Sequence, residues 1–85
     1  MLLINFTYER GESMNIGLAI KAIAKERGMS QADLHRATGI SEGYISMLFN
    51  AKIDDPQLSK MWTLSKALGV TVDEMIARSL EGDES

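Results

Sequence analysis

The sequence predicts a small all-α domain built from five short helices, and three observations lead there. From residue 16 onward apolar residues recur at helical spacing, as Ile16, Ile20 and Ile23 do. Gly28, Gly39 and Gly69 each stand just past such a stretch, where a glycine in left-handed conformation ends a helix. Ser30, Ser41 and Thr71 each stand just before the next stretch, where a side-chain oxygen caps the first free N–H groups.

The elements follow in order. The first helix spans about Ile16 to Arg27 and stops at Gly28. The second opens on Ser30, with Asp33 three residues on as a variant capping box, and runs to Thr38 before Gly39. Ser41 caps a third helix reaching about Asn50. Asp54-Asp55-Pro56 breaks the chain, and Pro56 suits the first turn of a fourth helix because its missing N–H would be unpaired there. That helix reaches Leu68 and closes at Gly69. Thr71 with Glu74 forms a full capping box for a fifth helix, to about Leu80. The helical body is thus 14–80, followed by an acidic tail, 81–85, that reads as solvated. No internal repeat or low-complexity tract stands out.

Residues 1–13 form a leader. In it Ile4, Phe6 and Tyr8 alternate with Asn5, Thr7 and Glu9, the period of a short N-terminal β-strand. A lone strand cannot satisfy its backbone, so it would pair with a partner, such as the same strand of a second chain, and serve as a dimerisation arm. Two other readings stand beside this one. The leader is a loose end on the body, or it is translated sequence ahead of a start at Met14, since Glu9-Arg10-Gly11-Glu12 fits purine-rich codons of a ribosome-binding site.

The expected core is Ile20, Ile23, Leu34, Ile40, Ile45, Leu48, Leu58, Met61, Leu64, Leu68, Val70, Val72, Met75 and Ile76. Burying one such side chain contributes about 1.5–3 kcal/mol, so the domain needs no metal or disulfide to offset chain entropy. Cysteine is absent, which excludes a disulfide framework and a cysteine-based metal site. No apolar run approaches the roughly 20 residues of a membrane span, and the leader lacks the basic start of a signal peptide, so a cytoplasmic protein is expected. The net charge of −3 argues against indiscriminate binding to nucleic acid. The acidity is concentrated at the end: Asp73, Glu74, Glu81, Asp83 and Glu84 outnumber Arg78 there, and the remainder is close to neutral.

The second and third helices are joined by Gly39-Ile40-Ser41, with Ile45 and Leu48 holding the pair against the core. This is the physical content of a helix-turn-helix, whose second helix projects and fits a major groove about 12 Å wide. Any helical hairpin shares that geometry in part. The sequence also resembles the lambda-repressor-like, Cro/C1 or XRE-type, DNA-binding domains over about residues 15–80. The resemblance is carried by GLAIKAIAKERGMSQADL, ATGISEGYISMLFNAK and PQLSKMWTLSKALGVTVDEMI, whose spacing from Ser30-Gln31 to Gly69-Val70 matches without a gap.

That resemblance implies a site. Gln31, at the start of the second helix, would approach a phosphate, assisted by backbone N–H groups and the helix dipole. Ser41, Glu42, Gly43, Tyr44 and Met47 would read bases. Glu42 can only accept hydrogen bonds, which suits the amino group of cytosine, and Met47 suits a thymine methyl. Asn50 and Lys52 would hold the DNA backbone. The departures are informative. Ala24 and Phe49 replace an Arg and a Glu that often pair across the first and third helices; losing both charges together is tolerable and predicts an inward Phe49. His35 replaces a small alanine, which puts the close approach of the second and third helices in question unless Ala24 leaves room. Asp54 and Asp55 occupy a loop that is often basic, so they weaken DNA binding or turn the loop away.

The bland readings compete. Glu42 is also a favourable acid in a first helical turn, and Met47 also suits surface packing. His35 has no partner ligands for a metal, and Ser46 has no base or oxyanion motif, so the sequence offers no catalytic, metal or cofactor site. Trp62 reads as core or core edge. The leading reading is a sequence-specific regulator of transcription, of phage or prophage repressor or Cro-like type. It would be a homodimer on a two-fold DNA operator, paired through the leader or the fifth helix near Trp62, with no small-molecule effector evident. The competing reading is an antitoxin or interaction adaptor that keeps the fold with weak or no DNA binding, which the acidic composition favours somewhat.

Overall fold

The computed structural model describes residues 14–81, and these form five helices. They are α1 (Ile16–Glu26), α2 (Gln31–Thr38), α3 (Glu42–Phe49), α4 (Leu58–Leu68) and α5 (Val72–Glu81). Each boundary lies within a residue or two of its predicted place. The candidate strand of the leader lies outside the described residues.

Three of the four connections share one local grammar: a glycine at positive φ, a half-buried aliphatic residue, then a Ser or Thr cap. They are Gly28-Met29-Ser30, Gly39-Ile40-Ser41 and Gly69-Val70-Thr71. At the first and third, the aliphatic residue's N–H reaches back five residues, Met29 to the Ala24 carbonyl at 2.9 Å and Val70 to that of Ser65 at 3.0 Å. That is the closure that satisfies a helix's last carbonyls. Both expected capping boxes form: Ser30 with Asp33, and Thr71 with Glu74. Pro56 does not open α4 as expected. It sits before the N-cap position, where Gln57 makes no side-chain cap, so α4 begins two residues beyond the proline.

The core joins Ile20, Ile23 and Ala24 of α1 to Leu34, to Ile45, Leu48 and Phe49 of α3, to Met61, Leu64 and Leu68 of α4, and to Met75 of α5. Phe49 faces inward at 5% exposure, as expected, and Ala24 is buried in the same core. Ile40, Val70 and Val72 are half-buried at the core's edge. Three expectations fail. Leu58 is 71% exposed, Trp62 57% and Ile76 42%, because the helical period marks an apolar face without saying whether this chain covers it.

Gly17 sets the separation of α1 and α3. A Cβ there would overlap the Leu48 carbonyl oxygen, so only glycine allows the start of α1 to meet the end of α3. His35 does not force α2 and α3 apart. Its Nδ1 lies 2.8 Å from the Ile40 carbonyl oxygen, so the half-buried ring lies along the turn.

Candidate nucleic-acid interface

The site begins with the cap. Ser41 Oγ accepts from the Tyr44 N–H at 3.1 Å and fixes the first turn of α3. Thr38 braces the turn from the other side: its Oγ1 accepts from the Ile40 N–H at 3.0 Å and donates to the Leu34 carbonyl at 2.6 Å. With His35 on the Ile40 carbonyl, both polar backbone groups of Ile40 are held by side chains of α2. Buried Ile45, Leu48 and Phe49 then anchor the inner face of α3.

The opposite edge is open. Ser41, Glu42 and Gly43 are exposed, and Met47 is 50% exposed. A side chain added at Gly43 would meet nothing within 4 Å, so the backbone of the first turn can be approached closely. Tyr44 is half-buried against the core, and the Lys60 ammonium of α4 lies over its ring, 5.2 Å from the centroid. The structure therefore gathers Ser41, Glu42, Gly43 and Tyr44 in the first turn of α3, with Met47 one turn on from Gly43 on the open face and Tyr44 turned partly to the core. Of the phosphate candidates, Gln31 is half-buried as the first residue of α2, while Asn50 and Lys52 are exposed at the end of α3. Asn50 is partly committed, since its Nδ2 donates to the Ser46 carbonyl at 2.8 Å. The Lys52 N–H donates to the Met47 carbonyl at 2.9 Å, which folds the following loop back toward α3.

Two carboxylates near the helix ends are held below their ordinary pKa. At Asp33 the main cause is the Ser30 backbone N–H, which donates to it at 2.9 Å; the Ser30 hydroxyl and Arg36 add to this. At Glu26 it is the Arg78 guanidinium, hydrogen-bonded to both carboxylate oxygens across α1 and α5. Among the described residues no cluster of metal-ligating side chains occurs, and no helix is long and apolar enough to cross a membrane.

Two residues of this region escaped the sequence reading. Asn15 caps α1, its Oδ1 accepting from the Gly17 N–H at 2.6 Å, and its place just before an apolar-periodic stretch was a usable signal. Lys60 joins Tyr44 only through the tertiary packing of α4, for which no local pattern exists.

Comparison with known proteins agrees with this geometry. A family profile described as Helix-turn-helix matches residues 20–75. The chain is 35% identical over 51 residues to the trifunctional NAD biosynthesis/regulator protein NadR of Salmonella typhimurium (strain LT2) and of Escherichia coli (strain K12). That match covers 60% of this chain but only 12% of the length of either relative. Among solved structures, one of SinR, described as the master regulator for biofilm formation in complex with DNA, is similar with a TM-score of 0.68 and 28% identity. The similarity covers 72% of this chain and 97% of SinR. The clp gene regulator ClgR from C. glutamicum matches with a TM-score of 0.72 over 78% of this chain and 84% of its own, and at 21% identity it bears on the fold alone.

Proposed function

The chain belongs to the XRE-type helix-turn-helix family, and from that premise we propose that it is a DNA-binding regulator of transcription, acting as a homodimer on a two-fold operator. The observation that carries this reading is the division of α3 into two edges: Ile45, Leu48 and Phe49 are buried, while Ser41, Glu42, Gly43 and Met47 are open. A helix anchored on one side and free on the other can lie in a major groove. Glu42, Tyr44 and Met47 then face base edges, with Gln31, Asn50 and Lys52 on phosphates. The nearly neutral body leaves little non-specific attraction, so affinity rests on these placed groups and on the N-terminal dipoles of α2 and α3.

One such domain spans too few base pairs to select a site in a genome, and a second copy doubles the contact at half-sites about 34 Å apart or a multiple of that. The surface that fits a second copy is the apolar face of α4 and α5. There Leu58, Trp62, Val70 and Val72 line an open groove with Lys66 and Asp73 also in its lining, and Ile76 and Leu80 continue the apolar stripe along α5. Within that reading, the form of regulator we favour is a repressor of phage or prophage origin or Cro-like type, in the cytoplasm. Catalysis plays no part in the reading.

A gel shift against the DNA upstream of the chain's own gene, at two salt concentrations, tests it. The expected result is a discrete, salt-sensitive complex; no complex even at low salt would favour an adaptor and overturn the proposal. Glu42→Gln should change the preferred base at one position in each half-site without weakening binding to scrambled DNA.

A further inference from the structure

The loop between α3 and α4 carries the phosphate candidate Lys52 next to two acids, Asp54 and Asp55, that would repel DNA. The structure offers a resolution of that conflict at Asp54. Ala51 takes φ 60°, a left-handed conformation that disfavours any residue with a Cβ, and its N–H donates to the Leu48 carbonyl at 3.2 Å. The chain thereby turns back at the end of α3 toward the start of α1. There the side chain of Asn15 meets it. Its Nδ2 donates to the Ile53 carbonyl at 3.3 Å and to Asp54 Oδ1 at 3.1 Å, while its Oδ1 holds the Gly17 N–H. One amide thus serves two elements that lie 38 and 39 residues apart in sequence. Gly17, pressed on the Leu48 carbonyl, completes the junction. The Asp54 carboxylate is bonded at the N-terminal end of α1, where the helix dipole favours a negative charge.

We propose that Asn15 is a positioning residue for DNA binding: it clasps the α3–α4 loop through Asp54, fixes the segment bearing Lys52, and holds the Asp54 carboxylate away from the phosphates. The inference rests on the DNA-binding reading above. It assigns no direct DNA contact to Asn15. What it adds is that one of the two acids of the loop, Asp54, is turned toward the start of α1 by an internal bond.

Asn15→Ser isolates the clasp, because serine still caps the Gly17 N–H but is too short to reach Asp54. The double variant Asn15→Asp with Asp54→Asn restores the 15–54 bond with its polarity reversed, although a carboxylate at position 15 cannot replace the donation to the Ile53 carbonyl. The probes are a duplex enriched by the wild-type chain from a random library and a scrambled duplex of equal length, each titrated by fluorescence anisotropy at several salt concentrations. Thermal melts identify a temperature at which every variant is folded. The expected result is an affinity for both duplexes lowered about tenfold in Asn15→Ser, with a smaller salt slope and unchanged preference between the duplexes, and partial recovery in the double variant. Asn15→Ser binding both duplexes like wild type, or no recovery in the folded double variant, overturns the clasp while DNA binding stands. Failure of the wild-type chain to enrich any duplex overturns the DNA-binding reading itself, and the clasp with it.

Discussion

Two helix pairs in this molecule are joined by nearly the same three residues. Between α2 and α3 they are Gly39, Ile40 and Ser41; between α4 and α5 they are Gly69, Val70 and Thr71. The glycines have similar backbones, at φ 79° and 75°, and both caps engage the N–H three residues on. The fastening differs. Val70 is held by the backbone of α4, whereas Ile40 is held by the side chains of Thr38 and His35. The surfaces differ more. The free edge of α3 offers Ser41, Glu42 and Gly43, while the free face of α4 and α5 offers Leu58, Trp62, Ile76 and Leu80. Equal turns therefore present unequal faces, and the face decides the partner: polar groups at a helix start suit DNA, and a contiguous apolar stripe suits another protein surface.

The comparison is broken most sharply at Trp62. Its ring is more than half exposed, with the Lys66 ammonium 4.7 Å from its centroid, so replacing it empties no core space. Trp62→Glu should leave the melting temperature nearly unchanged, convert a dimer to a monomer in sedimentation, and weaken operator binding about a hundredfold by losing the second half-site. A monomeric wild type, or a variant that still dimerises, would separate this face from assembly.

The two glycines come next. Gly39→Ala and Gly69→Ala each force a Cβ into left-handed backbone, at a cost of about 1–2 kcal/mol, since neither site is sterically blocked. Thermal unfolding should drop by similar amounts in the two variants, roughly 5 °C per kcal/mol. Their binding phenotypes should part: Gly39→Ala, next to the recognition turn, weakens DNA binding in the folded state, and Gly69→Ala weakens dimerisation. Identical phenotypes would mean the two turns are not specialised.

The same contrast explains what was legible in the sequence. Caps and stops act within four or five residues, so Ser30, Gly39, Ser41, Gly69 and the Thr71–Glu74 box could be read locally, and the helix-turn-helix with them. The open edge of α3 followed once Ile45 and Leu48 were assigned inward. Leu58, Trp62 and Ile76 misled because an apolar residue at helical spacing looks the same whether its cover is this chain or another. Gly17 went unread because its need arises from the Leu48 carbonyl, far along the chain. His35 raised a steric doubt that its own bond to the Ile40 carbonyl resolves, a contact that depends on the turn already being formed.

Smaller effects sharpen the DNA side. Lys52→Ala removes an exposed cation from the end of α3. It should weaken binding to every sequence alike, by roughly 1 kcal/mol, and reduce the salt slope by about 1. Unchanged affinity would place the loop away from DNA.

The smallest effect distinguishes the two ends by acid. Asp33 and Glu26 both have folded pKa values below those of the unfolded chain. Each therefore contributes stability that is present above the ordinary carboxylate range, about pH 4, and is lost as pH falls through the lowered folded value. Their partners lie in different places. Asp33 bonds the cap of its own helix and Arg36 one turn on, so its protonation loosens the start of α2 alone. Glu26 bonds Arg78 across α1 and α5, so its protonation loosens a tertiary contact. Both groups are solvent-exposed, which keeps each contribution small. Asp33→Asn should flatten the acid limb of the stability curve and speed amide exchange at the start of α2 only. Glu26→Gln should flatten that limb too, but speed exchange in α5. Exchange that rises uniformly through the domain in both variants would show that the five helices open as one unit, leaving no separate behaviour for the two pairs.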